Sequence, residues 1–328
     1  MNKDAKLNPD IFSQDMVYES NRLGFGEGLL EAGKIDDSIV AMTADLTEST
    51  QVELFKKAFP DRFIEVGVAE QNMVTIASGL AAVGKKPFTT SYASFSPGRN
   101  WEQIRTTICL NDRNVKIVGC HAGVSVGPDG ATHQMLEDIA LMRALPNMTV
   151  IVPCDSIEAR KATMALAKTA SPGYLRLAKE KTAVVTTDST PFVIGKALVL
   201  RDGKDLTLVA CGTLVYEALK AAEELAKQGV DVEVINCPTI KPLDNELILK
   251  SANKTKKVIT VEEAQASGGL GGAVAELISE QSAATLWRIG IKDRYGQSGD
   301  LKQLWAEYQL DSASIMSLAS KLLKAPKR

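Results

Sequence analysis

The sequence predicts an α/β fold in two domains, the first built on a parallel sheet with helices on both faces. Three observations lead there. Short apolar, β-branched runs alternate with helix-period segments along most of the chain, the pattern of strand–helix–strand units. The length of 328 residues exceeds what one ordinary core holds. A polar, Thr-rich stretch, KTAVVTTDSTP (181–191), interrupts the alternation and marks a boundary. The expected domains are therefore 1–185 and 190–328.

In order, DSIVAMTAD (37–45) and RFIEVG (62–67) read as strands, the second followed by a helical run from Glu70 to Val83. KPFTTSY (86–92), VKIVGC (115–120), MTVIVP (148–153) and YLRL (174–177) continue the series. Between the last two, DSIEARKATMALAKT carries Asp155 and Glu158 at capping-box spacing, which predicts a helix start. The second series is LTLVACG (206–212), a helix over 214–228, VDVEVINC (230–237), KVITVEE (257–263), a helix after 270, and TLWRIGI (285–291). Runs of this kind, apolar without strict alternation, suit strands buried on both faces. SGGLGG (267–272) reads as a tight turn into a packed helix, since its glycines lack the order of a dinucleotide fingerprint.

Composition excludes several classes of function. Apolar residues make up 45% and charged residues 24%, with a net charge of −2, so no nucleic-acid face or polybasic membrane patch is expected. No apolar run approaches a membrane span, and the polar start MNKDAKLNPD lacks a signal-peptide core. The five cysteines are scattered without a C-x-x-C, which predicts reduced thiols and a cytoplasmic location.

Ligands bind at the carboxyl ends of parallel strands. Asp45, the Glu65–Glu70 turn, Tyr92 and His121 each follow directly on a predicted strand. Both histidines of the chain, His121 and His133, fall in one stretch, HAGVSVGPDGATHQ (121–134). Gly123, Gly127 and Gly130 let that loop turn tightly. Met135, Leu136, Ile139, Met142 and Leu145 then recur at helical spacing, predicting a helix with Thr132 as its N-cap and His133 as its first residue. A helix N-terminus disfavours positive charge, so a neutral His133 is expected. With Asp129, the two imidazoles suit a polyhydroxylated or phosphorylated ligand. Ordinary loop histidines bonded to backbone explain the stretch equally well. No metal-ligand spacing or G-x-S-x-G motif accompanies it. Glu70, flanked by Val68 and Ala69 before a small-residue helix, is either a capping glutamate or a desolvated carboxyl suited to proton exchange with a ring nitrogen.

ADLTEST (44–50), GVAEQNM (67–73) and GPDGATHQ (127–134), in this order and spacing, resemble the C-terminal half of the transketolases. The likeness extends to EEAQASGGLGGAVAELI and YGQSGDL near the end. It implies the thiamine-diphosphate-binding fold of the pyrimidine domain plus a smaller α/β C-terminal domain, expected to serve subunit association. It implies transfer of a two-carbon ketol unit between sugar phosphates, as in the pentose phosphate pathway. It further implies that Glu70 hydrogen-bonds N1′ of the cofactor's aminopyrimidine, and that Tyr92 and Phe95 line its pocket. Asp45 corresponds to an acid near the cofactor. His133 and Asp129 match residues at the reacting end of the sugar; His121, Arg22 and Ser49 match the phosphate end. Lys179 stands where the family commonly has arginine, which keeps the charge but loses the bidentate fork.

The chain departs from the family in having no Gly-Asp-Gly and no paired asparagines, the residues that hold Mg²⁺ on the diphosphate. The expectation is a split enzyme whose second, N-terminal polypeptide supplies thiamine diphosphate's metal site, in an α2β2 heterotetramer. A 1-deoxyxylulose-5-phosphate synthase, a 2-oxoacid dehydrogenase β-subunit and a non-catalytic partner subunit are the alternatives. His121 and GRNWEQIR (98–105) favour transketolase.

Overall fold

A computed structural model describes residues 1–324 of the chain. The first half runs β1 (Tyr18–Ser20), α1 (Asn21–Ile35), β2 (Ile39–Thr43), α2 (Glu53–Ala58), β3 (Phe63–Glu65), α3 (Glu70–Ala82), β4 (Lys86–Tyr92) and α4 (Trp101–Gln103), which continues as π-helical turns over Ile104–Cys109. There follow β5 (Lys116–Cys120), α5 (Asp138–Arg143), β6 (Thr149–Ile151), α6 (Ser156–Ala167), β7 (Gly173–Arg176) and β8 (Lys181–Ala183). The second half runs β9 (Leu198–Arg201), β10 (Leu206–Ala210), α7 (Leu214–Ala226), β11 (Val232–Asn236), β12 (Thr239–Lys241), α8 (Asn245–Thr255), β13 (Lys257–Gln265), α9 (Leu270–Gln281), β14 (Thr285–Ile291), α10 (Leu301–Glu307) and α11 (Ser312–Lys324).

A seven-stranded sheet in the order β12-β6-β7-β5-β4-β2-β3 carries the first half. All its pairings are parallel except the edge strand β12, which arrives from the second half and lies antiparallel to β6. A five-stranded sheet, β14-β13-β10-β11-β9, carries the second half, with only β9 antiparallel. β2 shows why the parallel strands read as unbroken apolar runs. Ile39 and Ala41 pack under α1 and α6, while Val40 and Met42 pack under α3 and α5. Both faces of the strand are covered, so neither set of alternating side chains is polar. No described helix is long and apolar enough to cross a membrane.

α1 was not legible as a helix because Gly24, Gly26, Gly28 and Gly33 interrupt it. Two of them have a packing reason. A Cβ on Gly24 would sit 1.8 Å from the Ser156 carbonyl oxygen, and one on Gly28 would sit 2.7 Å from that of Arg160. Only hydrogen at these positions, one helical turn apart, lets α1 lie directly on α6. At the start of α6, Asp155 Oδ1 accepts from Glu158 N at 2.8 Å, as the capping spacing predicts. Glu158 reaches back to Cys154 N at 2.7 Å rather than to Asp155. The second oxygen of Asp155 accepts from Val185 N and Thr186 N at 2.9 and 2.6 Å, tying the Thr-rich stretch to this helix.

The helix expected from His133 begins five residues later, at Asp138. Two outside contacts hold the intervening backbone open: Ala122 forms an isolated bridge with Met135, and Gln265 N donates to Leu136 O at 2.8 Å. Thr132 is therefore not an N-cap; its hydroxyl meets His133 Nδ1 at 2.9 Å instead. No α-helix N-terminus thus lies at His133. The GGLGG turn does lead into a packed helix, α9, whose first N–H groups at Leu270 and Gly271 are both bound at 2.7 Å by the buried carboxylate of Glu262.

Candidate active site

β2, β3, β4 and β5 run parallel and end at one edge of the sheet, so the loops that follow them gather there. Glu70 is the first residue of α3, reached through Gly67 in the left-handed region at φ +68°. Its side chain is 1% exposed, yet it is not isolated. Arg99 Nη1 donates to one carboxylate oxygen at 2.8 Å, and Ser91 Oγ donates to the other at 3.3 Å. Asn100 Nδ2 donates to the Glu70 carbonyl at 3.0 Å, fixing the turn that presents the carboxylate. The Arg99 guanidinium also lies 4.6 Å over the Phe95 ring, so one side chain links the acid to the aromatic group beside it.

That aromatic group is continuous. Tyr92 and Phe95 are stacked at 6.2 Å with an interplanar angle of 23°. Tyr92 packs on His121 at 3.9 Å, and Phe95 meets His133 edge-on at 5.5 Å. Ser94 holds the His133 carbonyl at 2.8 Å. His121 itself is 4% exposed, adopts a positive φ of +55°, and has a buried Nδ1 without a hydrogen-bond partner. Burial, reinforced by the positive charges of Arg22 and Lys179 and by His133, pushes its pKa down from 6.5 to about 3. The imidazole is thus neutral at physiological pH.

Beside His121 stands a basic corner. Arg22 donates to the carbonyl of Ser49 through Nη1 and to that of Lys179 at 2.7 Å through Nη2. Lys179 Nζ donates to Val126 O at 2.9 Å and pairs with Asp129 at 3.2 Å. The sequence-derived candidates therefore fall into two joined groups: Glu70, Tyr92, Phe95, His121 and His133 in one, and Arg22, Ser49, Lys179 and Asp129 in the other. Ser49 contributes its carbonyl to that corner, while its hydroxyl turns back to Leu46 O at 3.4 Å. Asp45 stands apart. It is exposed, at a positive φ of +61°, and only its N–H is engaged, donating to Glu65 Oε1 at 2.8 Å. Arg99 was missed from sequence; nothing in GRNWEQIR shows that Phe95, four residues back in the preceding turn, and the distant Glu70 converge on it.

A buried carboxylate beside stacked aromatic faces fits a planar heterocycle with a basic ring nitrogen. Among the described residues, no three His, Cys, Asp or Glu side chains are grouped to hold a metal ion. Neutral imidazole, lysine and arginine stand beside the aromatic faces at the carboxyl edge of the parallel sheet, a set suited to a polyhydroxylated or anionic ligand.

Comparison with known proteins assigns the chain to a family. The transketolase pyrimidine binding domain matches residues 19–184 and the transketolase C-terminal domain matches residues 195–315. The chain is 46% identical, over 91% of its length and 95% of the relative's, to a Methanocaldococcus jannaschii protein named as a transketolase C-terminal section. It is 42% identical to a 6-deoxy-6-sulfo-D-fructose transketolase subunit of Clostridium sp. (strain MSTE9), covering 89% of this chain and 90% of that one. A 1-deoxy-D-xylulose-5-phosphate synthase of Halothermothrix orenii is 38% identical, over 91% of this chain but only 47% of its own length. Among solved structures, a split-gene transketolase, an inactive β4 tetramer, superposes with a TM-score of 0.88 at 39% identity, covering 94% of this chain and 100% of that one. The chain belongs to the transketolase family and is a subunit of that class of thiamine-dependent, two-carbon-transferring enzymes.

Proposed function

We propose that this chain is the C-terminal subunit of a split transketolase. It works with a separate N-terminal subunit that binds the diphosphate and its Mg²⁺, in an α2β2 heterotetramer with active sites between chains. We place it in the cytoplasm and its reaction among pentose phosphates, with the division between its domains between residues 185 and 190. The observation that carries the reading is the buried Glu70 carboxylate, joined through Arg99 to the Tyr92–Phe95 stack.

Thiamine diphosphate, when bound, supplies the electron sink for breaking and making the carbon–carbon bond. Glu70 is positioned to hold a proton at N1′ of its aminopyrimidine, and burial makes that hydrogen bond stronger than it would be in water. Tyr92 and Phe95 orient the ring by their faces. Neutral His121 and the neighbouring His133 exchange hydrogen bonds with sugar hydroxyls. Lys179 and Arg22 meet the sugar phosphate, and Asp129 holds the Lys179 ammonium while facing the hydroxyl next to the reacting carbonyl. Asp45, at the rim, lies nearest to solvent and to whatever covers the edge of the sheet.

The test mixes the purified chain with a diphosphate-binding partner, Mg²⁺ and thiamine diphosphate. Ketol transfer from xylulose 5-phosphate to ribose 5-phosphate is expected in the mixture and from neither chain alone. Turnover by this chain without a partner overturns the split arrangement. Activity only with a 2-oxoacid donor moves the assignment to a synthase or dehydrogenase type.

A further inference from the structure

The loop between His121 and His133 is held from the far side by the second half of the chain. β13 carries two adjacent carboxylates, Glu262 and Glu263, near its end. Glu262 caps α9, as described; Glu263, 3% exposed, turns the other way. Its Oε1 accepts from Ser125 N at 2.6 Å, and its Oε2 accepts from Thr213 Oγ1 at 3.0 Å. The fit around it is close: a Cβ on Gly123, whose φ is +89°, would lie 2.7 Å from the Glu263 carboxyl carbon. Further contacts act on the same loop. Gln134 Nε2 reaches Val124 O at 3.0 Å, Gly127 O at 3.1 Å and Gln297 O at 2.9 Å. A Cβ on Gly130 would meet Ser298 Oγ at 2.7 Å.

Among the described residues, Glu263 has no directly paired cation. Arg176, whose charge acts on it, spends its bonds on Asp138 Oδ2 at 2.8 Å and on the Glu263 backbone carbonyl at 2.9 Å. Burial accordingly pushes the Glu263 carboxyl above its ordinary range. A carboxylate buried without an ion pair is costly, and leucine or methionine would fill such a site more cheaply. What only the acid supplies here is a short, charge-assisted bond to one backbone N–H of the loop that presents His121, Asp129 and His133.

We propose that Glu263 is a positioning residue for the sugar site: the second domain sets the shape of the 121–134 loop, and through it the placing of His121, Asp129 and His133. This rests on the reading of that loop as the sugar site. The second domain thereby has a part in substrate binding as well as any part in association.

The experiment uses the assembled enzyme with Glu263→Ala and Glu263→Gln. Glutamine keeps an acceptor for Ser125 N–H but not the charge. Glu263→Ala is expected to raise KM for both sugars about tenfold, the scale of one charge-assisted hydrogen bond, with thiamine diphosphate affinity changed less than about twofold. Glu263→Gln is expected to restore part of the loss. Equal damage to cofactor and sugar binding, or a fall in kcat with KM unchanged, overturns the proposal. Should Glu263→Ala fail to fold, Glu263→Gln is read by hydrogen exchange on the chain alone. Faster exchange confined to residues 121–136 supports positioning, and unchanged exchange there refutes it. Because exchange needs no turnover, an assembled wild type without transketolase activity would sink the functional reading and leave this measurement standing.

Discussion

Arg99 lies 2.8 Å from a carboxylate oxygen of Glu70, joining a side chain 45% exposed to one 1% exposed. The pair is lopsided. Arginine keeps part of its hydration, whereas glutamate has given up nearly all of its own and has Ser91 as its other side-chain partner. Removing the arginine strands a buried acid. We expect Arg99→Gln to cost the isolated chain about 1–3 kcal/mol in urea unfolding, less than a fully buried pair because Arg99 is half in water. Glu70→Gln combined with Arg99→Gln should recover most of that cost, the coupling a double-mutant cycle reads. A single variant as stable as wild type would mean that the pair does not persist in solution.

The same pair bears on catalysis. On the proposed function, a ring nitrogen arriving at Glu70 shares the carboxylate with Arg99 and Ser91. Glu70→Ala is expected to lower ketol transfer by the assembled enzyme about 10²–10⁴-fold, the usual range for a positioned proton-transfer group. The chain itself should remain folded, since the change removes a buried charge and frees Arg99 to water. Transfer at the wild-type rate would take Glu70 out of the chemistry.

His121 gives a pH prediction with a definite sign. Its pKa falls from 6.5 to about 3 on folding. Between those values the unfolded chain binds a proton that the native chain refuses, so stability drops as pH falls from 6.5 towards 3. From pH 6.5 to 5 this residue should account for a loss of about 2 kcal/mol. Urea unfolding of His121→Asn at pH 7 and pH 5 should show a pH dependence shallower by that amount. Equal slopes for variant and wild type would place His121 in contact with solvent.

Much of this fold could be read from the sequence, and the failures have physical reasons. The buried parallel strands were visible because covering both faces makes them apolar throughout, as in β2. Glu70, Tyr92 and His121 could be placed at one edge of the sheet because Tyr92 ends such a strand, His121 follows one directly and Glu70 closes the turn after one. α1 was hidden because its glycines record contact with α6, and tertiary packing there overrides helix propensity. The helix expected at His133 failed because apolar spacing registers burial, not backbone form. Met135 and Leu136 are buried as expected, but in an extended segment claimed by Ala122 and Gln265. Arg99 and Glu263 were missed because their partners are distant in sequence. For Glu263 one signal existed: two adjacent acids closing the apolar run KVITV ask what buried groups they satisfy.

The packing account of α1 is directly testable. Gly24→Ala would place a methyl 1.8 Å from the Ser156 carbonyl oxygen, part of the backbone at the start of α6. That group cannot move aside as a flexible side chain would. We expect a loss of about 2–4 kcal/mol in thermal or urea unfolding, despite alanine's better helix propensity. A variant more stable than wild type would show that α1 and α6 are not in contact at this point.

Gly79 makes the opposite case. It lies in α3, nine residues beyond Glu70, and nothing stands within 4 Å of a Cβ built there. Asn72, Thr75, Gly79 and Ala82 form the exposed side of that helix, and Val68 and Val83 beside its ends are 71% and 77% exposed. In the isolated chain, Gly79→Ala should therefore add about 0.5–1 kcal/mol by helix propensity alone. In the assembly the sign depends on what covers α3. A small-residue face flanked by bare valines suits close approach by another subunit, and a methyl group there would hold the two backbones apart. Sedimentation of the variant with its partner should show weaker association alongside the higher melting temperature. Stabilisation with unchanged association would leave the α3 face in solvent and move the subunit contact elsewhere on the chain.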